Sequence, residues 1–306
     1  MTKKRISWVI PIYNEETNIP ALYDEITKLR KEVEQNYLCE FVFVNDGSKD
    51  NSQKLLEELF ATDKDVRVLS FSRNFGHQMA ITAGLDHATG DAIIFIDADL
   101  QDPPSVCLEL IKEWEKGNDV VYAKRRTRKD SFMKKFTAYW FYRILRKFAD
   151  IKIPEDTGDF RLISRQVADV LRQFPERHRF IRGLVSYVGF TQTAVLFDRE
   201  ERKSGKSGYS IKKMLKLAED AFTGFSLAPI MLIGTSGTLL AFAGMIGVII
   251  GLITSTTLVT ALSYATILTG VLLVSLATVG QYIGRTYQQV QGRPLYIVKK
   301  LLTHST

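Results

Sequence analysis

Cysteine is nearly absent: Cys39 and Cys107 are the two in 306 residues, both in apolar surroundings and without metal-like spacing. That excludes a disulfide framework and a cysteine-built zinc site, and points to a reducing compartment. Histidine is scarce as well, at four residues, and no H-E-x-x-H motif is present. No G-x-G-x-x-G follows the first apolar segment, so a dinucleotide site lacks its fingerprint. No G-x-S-x-G marks a hydrolase elbow. The stretch "SGKSG", Ser204–Gly208, is not a P-loop: Glu200 stands where the first glycine is required, and no apolar strand leads into it. The N-terminal "MTKKRISWVIP" is basic, but its apolar run is too short for a signal peptide, so the first domain is expected in the cytoplasm. Most telling is the lack of any charge between Pro229 and Ile283.

Elsewhere the chain is well charged, with a formal net charge of +7. The basic residues concentrate in Lys124–Lys147 and Arg199–Lys216, beside the uncharged tail. Juxtamembrane Lys and Arg are drawn to anionic head groups, so membrane attachment accounts for the basicity and no nucleic-acid partner is expected. Within the uncharged region, Pro229–Ile253 and Ala261–Gly284 are each long enough, at about 1.5 Å per residue, for a roughly 30 Å hydrocarbon core. Lys212, Lys213 and Lys216 precede the first, and Arg285, Arg293, Lys299 and Lys300 follow the second. The positive-inside rule then predicts a two-helix transmembrane hairpin with both ends in the cytoplasm. Gly234, Gly237, Gly244, Gly247 and Gly251 favour close helix packing, within one chain or between chains.

The first 209 residues alternate apolar strand-like runs with helical ones. "RISWVIPIYN", "CEFVFVNDGSKDNS", "VRVLSFSRN" and "DAIIFIDADLQD" read as strands, and "NIPALYDEITKLRKEVEQ", "SQKLLEELFAT" and "HQMAITAGLDHA" read as helices. This order predicts an α/β domain with a mostly parallel central sheet covered on both faces. Ligands bind such sheets at the carboxyl ends of the strands. Those ends carry Asn14–Glu15, Asn45–Asp46, Arg73–Asn74 and Asp97–Asp99. On an extended segment Asp97 and Asp99 point to the same side, a pair of hard oxygen ligands suited to Mg2+ or Mn2+. A cation held there would neutralise a diphosphate leaving group. A lone D-x-D more often caps a loop; its place after an apolar strand in this order strengthens the metal reading.

The motifs "VIPIYNEE", "FVFVNDGSKDNS", "SRNFGHQMAITAGLDHATGD", "IDADLQDPP" and "DTGDFRLISR", with the two C-terminal spans, resemble a family 2 inverting glycosyltransferase. More narrowly they resemble the polyisoprenyl-phosphate group, which includes dolichol-phosphate mannose synthases and bactoprenol (undecaprenyl-phosphate) glucosyltransferases. The similarity runs from about Ile6 to Arg293. It implies a GT-A fold and transfer of a sugar from a nucleotide diphosphate to a lipid phosphate at the cytoplasmic face of the plasma membrane. By the same resemblance Pro11, Tyr13, Glu15 and Asp46 line the nucleotide pocket. Asp97 and Asp99 form the D-x-D, with Asp99 the direct ligand and Gln101 a further one. Asp97 also faces the donor, Asp159 is the acidic group near the acceptor, and Arg202 closes over the diphosphate with Lys206 and Ser207 nearby. Tyr187 stands where Trp is frequent and Gly208 where Lys is frequent, which leaves donor preference and loop closure open. The expected layout is a catalytic domain at 1–209, an amphipathic juxtamembrane helix at 210–228, spans within 229–284 and a cytoplasmic tail at 285–306. A homo-oligomer is expected, with a tetramer among the options.

An acceptor that is already a phosphate needs little deprotonation, so Asp159 is read as a base or a positioning group. Lys124, Arg125, Arg128, Lys129 and Lys134 are candidates for holding the acceptor phosphate, although a charge run is more often a solvated surface. After that run, Phe132, Phe136, Trp140, Ile144 and Phe148 recur every four residues, as in an interfacial helix; a core helix is the alternative. His77 and His87 read as incidental, with contact from His77 to the donor a minor option. A processive polysaccharide synthase is excluded by the missing Q-x-x-R-W, since none of Trp8, Trp114 and Trp140 stands in that context. The other class weighed is a non-catalytic sugar-nucleotide-binding scaffold. UDP-glucose is the favoured donor, with UDP-N-acetylglucosamine and GDP-mannose as alternatives.

Overall fold

A computed structural model describes residues 3–126, 157–177, 179–198 and 258–304. Its organising element is β1, Lys4–Ile12, whose side chains alternate between two apolar layers. Ile6, Trp8, Ile10 and Ile12 join one core, and Val9 joins the other. The first layer is covered by α1 (Ile19–Val33), α2 (Ser52–Thr62) and α4 (Val106–Glu115), through Leu22, Ile26, Leu56 and Leu110. The second is covered by α3 (His77–His87), α5 (Arg165–Arg172) and α6 (Ile181–Tyr187), through Ile81, Leu85, Val167 and Leu184. Burial on both faces explains why the strands read as continuous apolar runs rather than alternating ones.

The other strands are β2 (Tyr37–Asn45), β3 (Val66–Phe71), β4 (Ala92–Phe95), β5 (Val120–Arg125), β6 (Thr157–Ser164), β7 (Gln192–Phe197) and β8 (Val298–Leu302). They form one sheet in the order β7-β5-β6-β4-β1-β2-β3-β8. The run β3-β2-β1-β4 is parallel, as the sequence predicts. The sheet as a whole is mixed rather than mostly parallel: β6 runs antiparallel between β4 and β5, and β8 runs antiparallel to β3. Tight packing makes two glycines necessary. A Cβ at Gly84 on α3 would overlap Val9 Cγ1, and one at Gly47 would lie 2.5 Å from the Arg73 carbonyl carbon. Gly47 also has a φ of 67°, which a larger residue adopts at a cost.

The C-terminal region is described only in part. Helix α7 spans Leu258–Val290 and includes the expected second span. Among the described residues no helix is found long and apolar enough to cross a membrane, so the structure does not show the transmembrane hairpin. The expected first span, 229–253, and the juxtamembrane helix, 210–228, lie outside the described residues. The tail is not a loose extension: β8 caps the sheet edge beside β3, with Ser72 N donating to the Ile297 carbonyl at 3.0 Å. Tyr296 stacks on Phe71 at 5.1 Å and donates to Asp86 on α3 at 2.8 Å.

Candidate active site

The loops at the carboxyl ends of β1 and β2 bind each other. Asn14, in a left-handed conformation with φ 55°, receives the Lys49 N–H on Oδ1 at 2.8 Å, and its own N–H reaches Ser48 Oγ at 3.0 Å. Glu15 N donates to Ser52 Oγ at 3.0 Å, and the Glu15 carboxylate accepts from Asn18 Nδ2 at 2.5 Å. Pro11 is buried within β1, whereas Tyr13 keeps 41% of its surface exposed at the rim. The pocket-lining candidates thus gather at one edge of the sheet.

Asp46, expected beside the nucleotide, is buried and its carboxylate is engaged. It accepts from Phe75 N at 2.6 Å, Gly76 N at 3.0 Å and Asn74 Nδ2 at 2.9 Å. Burial raises its pKa, and those backbone donors oppose the rise. Asp46 therefore anchors the turn from β3 into α3, and that turn aims His77 and Gln78 at the centre of the edge. Neither residue stands out in the sequence. The available signal was position: both follow a Gly at the carboxyl end of a strand, where a site belongs.

Strand β4 stops at Phe95, so Asp97 lies just beyond its end and Asp99 in the turn that follows, rather than both on the extended segment expected. The chain bends because Leu100 adopts φ 56°, and Gln101 N closes the bend by donating to Asp99 Oδ1 at 3.1 Å. Because β6 runs antiparallel to β4, with Arg161 opposite Phe95, its first residues extend past the end of β4. That extension carries Asp159 to the same place. His77 Nε2 sits between the two acids, 3.5 Å from Asp97 Oδ1 and 3.4 Å from Asp159 Oδ2. Burial alone would lower the His77 pKa, but Asp97 and Asp159 outweigh it and raise it to about 9.

Asp159 is buried, and its carboxylate is surrounded by donors. Arg182 Nε meets Oδ1 at 2.8 Å, and Arg182 Nη2 and Gln78 Nε2 meet Oδ2 at 3.2 and 3.1 Å. Burial would raise the carboxyl, but Arg182 and His77 overcome it and hold it well below the usual range. So low a pKa makes Asp159 a poor proton acceptor and a firmly fixed negative charge. Arg182, like Gln78, went unrecognised in the sequence, and His77, read there as incidental with donor contact a minor option, instead contacts both acids.

The residues present fit a hard divalent cation. Asp97 and Asp99 offer oxygen donors only. Burial raises the Asp97 carboxyl, His77 pulls it down, and the nearby charges of Asp99 and Asp159 push it up again. A cation would relieve that crowding. Among the described residues no cluster of three His, Cys, Asp or Glu side chains forms a metal site, so water and substrate oxygens would complete the shell. Of the acceptor candidates, Lys124 and Arg125 end β5, with Arg125 Nη2 3.9 Å from the buried Asp102. Arg128, Lys129, Lys134 and Arg202 lie outside the described residues. A cavity of about 310 Å³ lined by Lys4, Tyr37 and Trp114 lies at the opposite, amino-terminal edge and includes none of these groups.

The family model for glycosyl transferase family 2 matches residues 7–172. An uncharacterized glycosyltransferase of Bacillus subtilis, YkcC, is 47% identical, over 96% of this chain and 93% of its own length. The prophage bactoprenol glucosyl transferase homolog of Escherichia coli is 40% identical, over 97% and 99%. The bactoprenol glucosyl transferase of Shigella phage SfII is also 40% identical, over 97% and 98%. Among solved structures, glucosyl-3-phosphoglycerate synthase of Mycobacterium tuberculosis with Mn2+, UDP and phosphoglyceric acid is 18% identical, with a TM-score of 0.49 over 72% of this chain and 76% of that one.

Proposed function

The chain belongs to glycosyl transferase family 2, and on that premise we propose that it transfers glucose from UDP-glucose to a polyisoprenyl phosphate of the undecaprenyl class, at the cytoplasmic face of the plasma membrane. The product would supply envelope glycan modification. The observation that carries this reading is the near-full-length similarity, at 40% identity, to proteins named bactoprenol glucosyl transferase. The site supports it chemically. Asp97 and Asp99 stand where a Mg2+ or Mn2+ would be held, and that cation, when bound, would offset charge building on the departing diphosphate.

The acceptor phosphate oxygen attacks C1 of the sugar from the face opposite the diphosphate. The new C1–O bond forms as the bond to the UDP oxygen breaks, with inversion at C1 and no proton to remove. A strong base is therefore unnecessary, which agrees with an Asp159 held ionised by Arg182 and His77. Its fixed charge orients sugar or acceptor, a task of positioning. Membrane attachment is supported by the uncharged run 229–283 and by exposed Leu272, Leu276, Ile283 and Val290 along α7.

Detergent-solubilised protein incubated with undecaprenyl phosphate, Mg2+ and a panel of radiolabelled nucleotide sugars tests the reading. Label from UDP-glucose should appear in the lipid extract, and Asp99→Ala should abolish both the transfer and its metal dependence. Metal-dependent donor binding without lipid label from any sugar would replace the enzyme by a binding scaffold. Full turnover in Asp99→Ala would remove the metal assignment.

A further inference from the structure

We propose that Gln78 is a positioning residue whose amide fixes Asp159 with one end and the start of α6 with the other, so that Arg182 stays on Asp159. Its Oε1 accepts from Ile181 N at 3.0 Å, and its Nε2 donates to Asp159 Oδ2 at 3.1 Å. The orientation of the amide is forced. A backbone N–H can only donate, so the oxygen must face Ile181; the nitrogen is then left for the carboxylate, which can only accept.

Both contacts answer a local need. Helix α6 begins after Phe180, which supplies no side-chain cap, so its first N–H would lack a partner from its own cap. Gln78 supplies that partner from across the chain, 103 residues away in sequence. Arg182 is the next residue along, and its guanidinium makes a two-pronged contact with the same Asp159 that Gln78 touches. Gln78, Ile181, Arg182 and Asp159 thus close a ring in which each contact constrains the next. His77, adjacent on α3, adds its own approach to Asp159. The turn that Asp46 anchors therefore sets the placement of the acceptor-side charge.

The inference rests on the proposed role of Asp159 in transfer, and two variants separate the parts. In Gln78→Leu both contacts vanish. In Gln78→Glu the acceptor for Ile181 N remains, while a second negative charge faces Asp159. Hydrogen exchange over residues 181–187 of the full-length protein in detergent should accelerate by about tenfold in Gln78→Leu and stay near wild type in Gln78→Glu. Turnover should fall by about 10- to 100-fold in both variants, with KM for the donor unchanged. A merely structural role would instead make loss of turnover follow the exchange rate and spare Gln78→Glu. Unchanged exchange in Gln78→Leu overturns the clamp, and turnover within about twofold of wild type in both variants overturns its consequence. If the wild-type protein transfers no sugar, the proposed reaction fails and the exchange experiment alone decides whether the clamp exists.

Discussion

Replacing Arg182 with leucine strips Asp159 of the larger of the two partners that hold it ionised, leaving His77 beside it. The Asp159 side chain is 5% exposed and that of Arg182 18%, so water replaces little of the lost contact. Removing one member of a buried ion pair costs about 3–5 kcal/mol, chiefly because the remaining charge stays buried and uncompensated. For a domain of this size that corresponds to a fall in Tm of roughly 6–20 °C. The loss has a defined pH dependence. In the wild type, the Asp159 pKa lies well below its unfolded value, so its contribution is present above that value and disappears only as pH falls through the depressed folded pKa. In Arg182→Leu burial lifts that pKa, so the carboxyl protonates at higher pH and no longer needs a partner. The gap between variant and wild type should therefore be widest near pH 7 and narrow as pH falls through the raised pKa. Tryptophan fluorescence during heating, from Trp8 and Trp114 in the catalytic domain, measures it in detergent across pH 5–8. Adding Asp159→Asn to Arg182→Leu should recover part of the loss, because it removes the stranded charge. A loss below about 1 kcal/mol, or a double variant as unstable as the two losses summed, would refute the claim that Arg182 compensates a buried carboxylate.

Gly84→Ala should destabilise by about 1–3 kcal/mol, since its Cβ would overlap Val9 Cγ1 on β1. Thermal unfolding checks this, and Val9→Ala in the same chain should restore much of the loss. Ending the chain after Gly292 removes β8 and exposes the edge of β3, together with the Phe71 face that Tyr296 covers. The truncated protein should lose roughly 5 °C or more in Tm and associate in light scattering; an unchanged Tm would mean that β8 contributes no stability.

The alternation of strands and helices through His87 was legible because burial on both faces leaves long apolar runs, and helices with one buried stripe leave a different period. Ile19, Leu22, Ile26 and Leu29 on α1 show that stripe plainly. Asp97 and Asp99 were legible because carboxylates are conspicuous after an apolar strand, whereas Asp159, at the start of β6, was legible only through the family resemblance. Gln78 and Arg182 were not, and His77 was read only as incidental or as a minor donor contact, since each draws its meaning from a partner distant in sequence: 81 residues separate Gln78 from Asp159. An isolated His or Gln on a helix has no local pattern to betray its role. Strand β8 escaped for a related reason. Its five residues are largely exposed at a sheet edge, so no apolar run announces them, and the segment expected as a cytoplasmic tail includes a strand tied to β3 and a tyrosine bonded to α3.

The sequence by itself determined the α/β class, the uncharged C-terminal region and the acidic residues at the strand ends, because composition and periodicity record which faces are buried and which groups are charged. Only the tertiary structure decided that β6 turns back beside β4, that the chain turns at Asp99 just after Asp97, and that Asp159 is held ionised by Arg182 with His77 between the two acids. Those outcomes depend on distances between residues far apart in the chain, and the energy of a buried charge is set by what surrounds it rather than by its neighbours in sequence.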